Sequence, residues 1–272
     1  MYMRDNDERL APPQAPTVPQ TNVGGLNYVI PTEIVDLPSK GKFYLQDNPL
    51  YNKEYVEIKH MTAKEEDILT SVSLIEKGVA IDHLIQSLLL DKSINAKTMF
   101  AGDRNAILLN ARINGYGPEY KITSSCTSCN NTDEITVDLA TIKNRELDYT
   151  NEKLALELPK TKYPVTIRFL TAHEEELLQK EVEKSAKIGF SDSSFLVFLK
   201  FIVTSINGIK ASDGIVSQFI ENMPASDARY IRDFYTKTKP DIDFSVETEC
   251  SLCSHTERRE VPLTAQFFWP QS

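Results

Sequence analysis

Four cysteines carry the chemistry available to this chain. They come as two pairs, Cys126-x-x-Cys129 and Cys250-x-x-Cys253, and the 272 residues hold no others. Two residues between thiols let both sulfurs turn toward one ion, and four thiolates in a tetrahedron are the donor set of a structural Zn2+. Cys126, Cys129, Cys250 and Cys253 are therefore read as the ligands of one shared site. Such a site has every coordination position filled by protein, so it activates no water and supplies folding free energy instead. Three other readings stand beside it: metal-free remnants, two separate half-sites each completed by other ligands such as His255, and a redox pair. A redox CxxC wants a helix N-terminus to stabilise its thiolate, whereas strands are expected on both sides of each pair here. His255 has Asn131 as its counterpart beside the first pair, which weakens it as a ligand.

The elements that must position these thiols are themselves duplicated. An offset of 124 residues carries Cys126 to Cys250 and Cys129 to Cys253, and also Met99 to Met223, Ala101 to Ala225, Asp103 to Asp227, Ile107 to Ile231, Val137 to Val261 and Leu139 to Leu263. Further back, Val56–Leu69 (VEIKHMTAKEEDIL) matches Val165–Leu178 (VTIRFLTAHEEELL) at an offset of 109. The second copy thus gains 15 residues, placed around 187–213. Two copies are too few for a solenoid; a pseudo-twofold pair fits, in which equivalent hairpins meet at one ion. Residues 34–147 form repeat 1 and residues 148–272 repeat 2.

Within repeat 1 a strand is expected over Tyr55–Lys59. Helices should follow at about 63–77 and 80–91, the first opened by a capping box of Thr62 with Glu65. Another helix should run from about Ala101 to Asn114, stopped by Gly115, Gly117 and Pro118. A hairpin, Tyr120–Thr123 with Glu134–Leu139, then carries the first CxxC. Repeat 2 predicts a strand over Val165–Phe169, with Thr171 and Glu174 repeating the capping box. Helices are expected at 172–188, 192–206, 212–222 and 225–237, and a hairpin over Asp243–Glu249 and Glu257–Leu263. The stretch 140–164 reads as a polar linker. The fold class is α+β: internally duplicated helical lobes with short antiparallel β-hairpins, joined at a four-cysteine, zinc-ribbon-like site. Residues 1–33 read as a Pro-rich N-terminal arm, flexible or partner-bound, with Pro12, Pro13, Pro16 and Pro19 within eight residues. Phe267, Phe268 and Trp269 form an aromatic tail that docks on the chain's own core or on a neighbour.

Composition narrows the function. The hydrophobic fraction of 41% and charged fraction of 25% suit a soluble globular protein. A net charge of −9 disfavours a role in gripping phosphate backbones. No stretch has the roughly 18 apolar residues of a membrane span, and the N-terminus has no secretory signal pattern; a reducing cytoplasm is the expected place of synthesis. His60, His83, His173 and His255 are scattered, and His173 sits in HEEE rather than HExxH. The paired glutamates read as helix caps, and no phosphate-binding loop or nucleophile elbow occurs. No enzyme is indicated.

In order, the chain shows LPSKGKFY (37–44), MTAKEEDIL (61–69), GDRNAILLNARINGYG (102–117), CTSC (126–129) and the returning Val137-Asp138-Leu139. In these it resembles the baseplate hub subunits and hub assembly proteins of T4-like contractile-tailed bacteriophages. The resemblance covers about residues 34–140 and more weakly the second copy; the Pro-rich arm lies outside it. It implies a virion tail protein without enzymatic activity, assembled in the host cytoplasm and in contact with other tail and baseplate proteins. No nucleic acid, membrane or small-molecule substrate is implied. The alternative is a zinc-ribbon accessory protein that binds nucleic acid, for which the basic residues beside the knuckles are few: Lys121, Arg258 and Arg259.

Overall fold

A computed structural model describes residues 20–23, 26–150, 154–187, 194–212, 214–261 and 267–268. It opens on a small hairpin, β1 (Gln20–Val23) paired antiparallel with β2 (Leu26–Val29). After it, one plan runs twice. In the first lobe β3 (Thr32–Asp36) pairs antiparallel with β4 (Tyr55–Lys59). Then come α1 (Ala63–Thr70), α2 (Val72–Glu76), α3 (Ala80–Leu88) and α4 (Ala101–Tyr116). A hairpin of β5 (Glu119–Ser125) and β6 (Thr132–Asp138) closes the lobe. After β7 (Lys143–Asn144), the second lobe has β8 (Ala155–Glu157) and β9 (Pro164–Ile167), α5 (Ala172–Lys187), α6 (Ser194–Ile202), β10 (Val203–Ile206), β11 (Ile209–Lys210), α7 (Gly214–Asn222) and α8 (Ala225–Thr238). It ends with β12 (Ile242–Asp243) and a hairpin of β13 (Ser245–Glu249) and β14 (Thr256–Glu260).

Four expectations change. The helix foreseen over 63–77 breaks at Ser71, whose extended backbone (ψ 104°) separates α1 from α2. The helix foreseen over 192–206 stops at Ile202. Val203, Thr204 and Ile206 are β-branched, and they find an edge to pair with, so the run continues as β10 in a sheet ordered β11-β10-β9-β8. The stretch read as a polar linker contributes β7, which pairs with β12, and β8, which pairs with β9. Within the segment read as an arm, residues 20–23 and 26–29 pair as β1 and β2; the arm's prolines, Pro12, Pro13, Pro16, Pro19 and Pro31, all lie outside these strands, so none interrupts that pairing. Residues 1–19 lie outside the described residues.

Matching polar anchors hold the copies in shape. Glu65 is wholly buried; its Oε2 accepts from Thr62 N (2.9 Å) and Thr62 Oγ1 (2.6 Å), and its Oε1 pairs with Lys59 Nζ (2.6 Å). At the 109-residue offset, Glu174 accepts from Thr171 N (2.9 Å) and Oγ1 (3.1 Å) and pairs with Arg168. Each helix start is thereby tied to the preceding strand through one carboxylate. A second set was unforeseen. Asp103, the third residue of α4, accepts from Ser39 N (2.9 Å), Ser39 Oγ (2.6 Å) and Tyr44 OH (2.7 Å). Asp227, the third residue of α8, accepts from Lys160 N (2.8 Å), Thr161 N (3.0 Å) and Thr161 Oγ1 (2.9 Å). Both aspartates are fully buried. Each pins a Leu-Pro loop, Leu37-Pro38 or Leu158-Pro159, that joins the two strands opening its lobe. Burial pushes the Asp103 carboxyl up to about 6, against the three donors that favour its charge. Gly41 makes the first loop possible: its φ is +67°, and a side chain there would meet Leu50 O at 2.4 Å.

The two lobes share one apolar core that runs from Val35 and Leu37 through Ile107 and Leu109 to Leu199, Ile231 and Phe244. At their junction Phe169 packs edge-on to Phe43 (4.9 Å) and Phe100 (6.2 Å), and Ala172 N bonds Met99 O (2.9 Å). Gly102 touches the second lobe so closely that a Cβ would sit 2.1 Å from Pro240 O. The tail docks on the chain's own core: Phe267 and Phe268 are buried, and the buried Arg112 donates from Nε to Phe267 O (2.5 Å). Trp269 lies outside the described residues.

Glu65 makes the first capping box testable. Burial alone would raise its carboxyl, but Lys59, Ser87 and Thr62 together pull it from about 4.5 down to about 2. A depressed folded pKa gives stability that is full above the unfolded value and lost as pH falls through the folded one. The wild type should therefore lose stability between pH about 4.5 and about 2. Glu65→Gln should flatten that stretch of a plot of denaturant midpoint against pH. It should also lower stability at pH 7 by about 2–3 kcal/mol, because Lys59 is left without its partner.

Candidate metal centre

Each knuckle is built by its own backbone. In the first, Cys126 N donates to Asn131 O (2.7 Å) and Asn130 N to Cys126 O (2.9 Å). In the second, Cys250 N donates to His255 O (3.0 Å) and Ser254 N to Cys250 O (3.0 Å). Every atom of one pattern has its counterpart 124 residues on. Both turns also contain a non-glycine residue in the left-handed region, Asn130 at φ 58° and Ser254 at φ 53°. The long register of the β5–β6 pairing, Glu119 against Asp138 out to Ser125 against Thr132, delivers the first turn to the end of its hairpin. The β13–β14 pairing, Ser245 against Glu260 out to Glu249 against Thr256, delivers the second.

The two turns meet. Cys126 Sγ lies 3.7 Å from Cys253 Sγ, and Cys129 Sγ lies 3.6 Å from Cys250 Sγ. All four sulfurs fall within 4.8 Å of one another. A tetrahedron with metal–sulfur bonds of about 2.3 Å has sulfur–sulfur edges of about 3.8 Å, so this set could hold a Zn2+ with small adjustments. His255 takes no part in the group: its Nε2 faces Thr127 Oγ1 at 3.5 Å. The sulfurs also perturb one another. The backbone amide of Cys129 leads the interactions that draw Cys126 down to about 7. Cys129 is pushed up to about 12; the Asn131 amide is outweighed by burial and by its three sulfur neighbours. Thiolates at this spacing repel, and a divalent cation is the charge that relieves them.

Residues between and beyond the thiols join the knuckles, and the sequence reading assigned them nothing. Thr127 donates from N (3.3 Å) and Oγ1 (3.0 Å) to the Glu257 carboxylate. Ser251 donates from N (3.1 Å) and Oγ (2.7 Å) to the Asp133 carboxylate. The signal that could have found them is the same offset: 127 to 251, and 133 to 257. The basic residues beside the knuckles are engaged, Lys121 with Glu134, Arg258 with Asp243 and Arg259 with Glu257.

A family model described as "T4 bacteriophage base plate protein" matches residues 30–269. The chain belongs to that family. The matched span takes in both lobes and both cysteine pairs. Membership makes this a phage baseplate protein, with a place in the virion tail among other tail proteins. No curated protein and no solved structure matches the chain. Among the described residues, no helix is long and apolar enough to cross a membrane.

The left-handed residues in the knuckles give a direct check on the backbone argument. Serine tolerates that conformation less well than asparagine. Ser254→Gly should therefore raise stability by about 0.5–1 kcal/mol. Asn130→Gly should change it by less, both read from urea midpoints of the purified protein.

Proposed function

We propose that this protein is a non-catalytic structural and assembly component of the hub region of the baseplate. In this reading its two lobes, residues 34–147 and 148–272, are fastened into one body by a structural Zn2+ on Cys126, Cys129, Cys250 and Cys253. The observation that carries the reading is the convergence of four sulfurs from hairpins more than 120 residues apart in the chain. A set of four thiolates leaves a metal no open position, so the ion serves cohesion and not hydrolysis. The shared core means that the metal adds to a fold already supported by tertiary packing, unlike a small zinc finger that is unfolded without it. Family membership supports partners among the other tail proteins. A nucleic-acid role draws no support from the knuckles, whose few basic side chains are neutralised by neighbouring carboxylates. Assembly takes place in the host cytoplasm, where thiols remain reduced and available to a metal.

Two measurements test this. Metal analysis of the purified full chain should find one zinc per chain, and mass spectrometry should find the protein in purified tails or in baseplate intermediates. Absence from both would defeat the hub assignment. Cys126→Ser and Cys250→Ser cut the same site from opposite sides. Each should lower the melting temperature by about 5–10 °C, and by nearly equal amounts, where 1 kcal/mol corresponds to about 2–4 °C for a chain of this size. Strongly unequal shifts would indicate two separate sites.

A further inference from the structure

The contact between the knuckles has the form of a twofold interface within one chain. Thr127 of the first knuckle reaches Glu257 of the second, and Ser251 of the second reaches Asp133 of the first. Thr127 and Ser251 are equivalent positions, as are Asp133 and Glu257, so residue i meets j′ while i′ meets j. Both contacts are bidentate. A backbone N–H and a hydroxyl from one turn grip the two oxygens of one carboxylate from the other turn. Each carboxylate is also steadied from its own hairpin. Arg259 holds Glu257 while donating to Ser125 O across the interface (2.8 Å), and Asn131 Nδ2 holds Asp133 Oδ1 (2.7 Å). The clasp bonds run between side chains and backbone of the two turns, and the Asp133 carboxylate also takes a hydrogen bond from the Cys250 side chain.

We propose that these two reciprocal clasps gather the four sulfurs before the metal arrives, so that Asp133 and Glu257, which are not ligands, are positioning residues that set metal affinity. Two hairpins tethered only through distant parts of the fold would have to find one another around the ion, and that search would weaken binding. Hairpins already fixed in register present a preformed cage, and the ion then has little chain to order. Outer residues that orient metal ligands characteristically govern affinity in this way. The proposal deepens the zinc reading above and rests on it.

The test uses the full-length protein. Zinc affinity is measured by competition with a chromogenic chelator, and the rate of zinc extraction by excess chelator is followed in parallel. Asp133→Ala and Glu257→Ala should each weaken apparent affinity by about 10–100-fold and speed extraction, with all four cysteines intact. Thr127→Ser, which keeps the hydroxyl, should behave as wild type. Glu134→Ala removes a carboxylate from the same hairpin, but one whose partner is Lys121 and not the other knuckle, so it should stay within about twofold of wild type. Two results overturn the clasp while leaving the zinc reading intact. One is a double Asp133→Ala/Glu257→Ala protein that binds and releases zinc like wild type; the other is a Glu134→Ala loss equal to that of Asp133→Ala, which would make charge and not contact the cause. A wild-type protein that takes up no zinc overturns both.

Discussion

Holding Cys126 beside Cys253 closes a loop of 127 residues. In a flexible chain that closure costs on the order of 4 kcal/mol in entropy, more than a few surface hydrogen bonds return. The rest of the structure meets this constraint with several sets of contacts. The apolar core joins the lobes through Phe100 and Phe169, with the half-buried Phe43 beside them, and each fully buried aromatic or aliphatic side chain contributes about 2 kcal/mol. The pairing of β7 with β12 then brings the linker against the second lobe. Packing and pairing outside the knuckles thus offset most of the closure cost, which leaves local alignment to the clasps and the sulfurs.

Duplication explains why so few distinct devices suffice. A carboxylate three residues after a threonine ties strand to helix in both lobes. A buried aspartate on the first turn of a later helix ties the Leu-Pro loop in both lobes. Each device satisfies backbone donors that would otherwise be stranded in the interior, where an unmade hydrogen bond costs about 1–3 kcal/mol. The copies are not identical. Tyr44 OH donates to Asp103 and accepts from Phe100 N, whereas the three donors to Asp227 all come from the neighbouring Lys160 and Thr161. The Asp103 network thereby reaches Phe100, which packs on Phe169, so this anchor sits where the lobes touch.

Much of this was legible in the residues, because the strongest signals were local. Strand Tyr55–Lys59, both capping boxes, the helix from Ala101 and the two knuckle hairpins follow from alternation, cap chemistry and the cysteine spacing. The break at Ser71 was not legible, since the flanking residues suit a helix on either side. Nor was the switch at Val203, where a β-branched run became a strand only because the edge of β9 was there to receive it. The role of Asp103 was hidden for a different reason. Its alignment with Asp227 was plain, but its partners lie 59 to 64 residues away, and long-range hydrogen bonds leave no periodicity. The clasp residues look like ordinary surface side chains until the 124-residue offset is applied to them as well as to the thiols.

The close approach at Gly102 has a wider consequence. A backbone carbonyl of Pro240 stands where a methyl group at residue 102 would have to go, so the lobes pack there without a side chain between them. The two lobes thus meet backbone to backbone beside the core that they share. A methyl group added at residue 102 would therefore be felt in both lobes at once, because the carbonyl it meets belongs to the other copy.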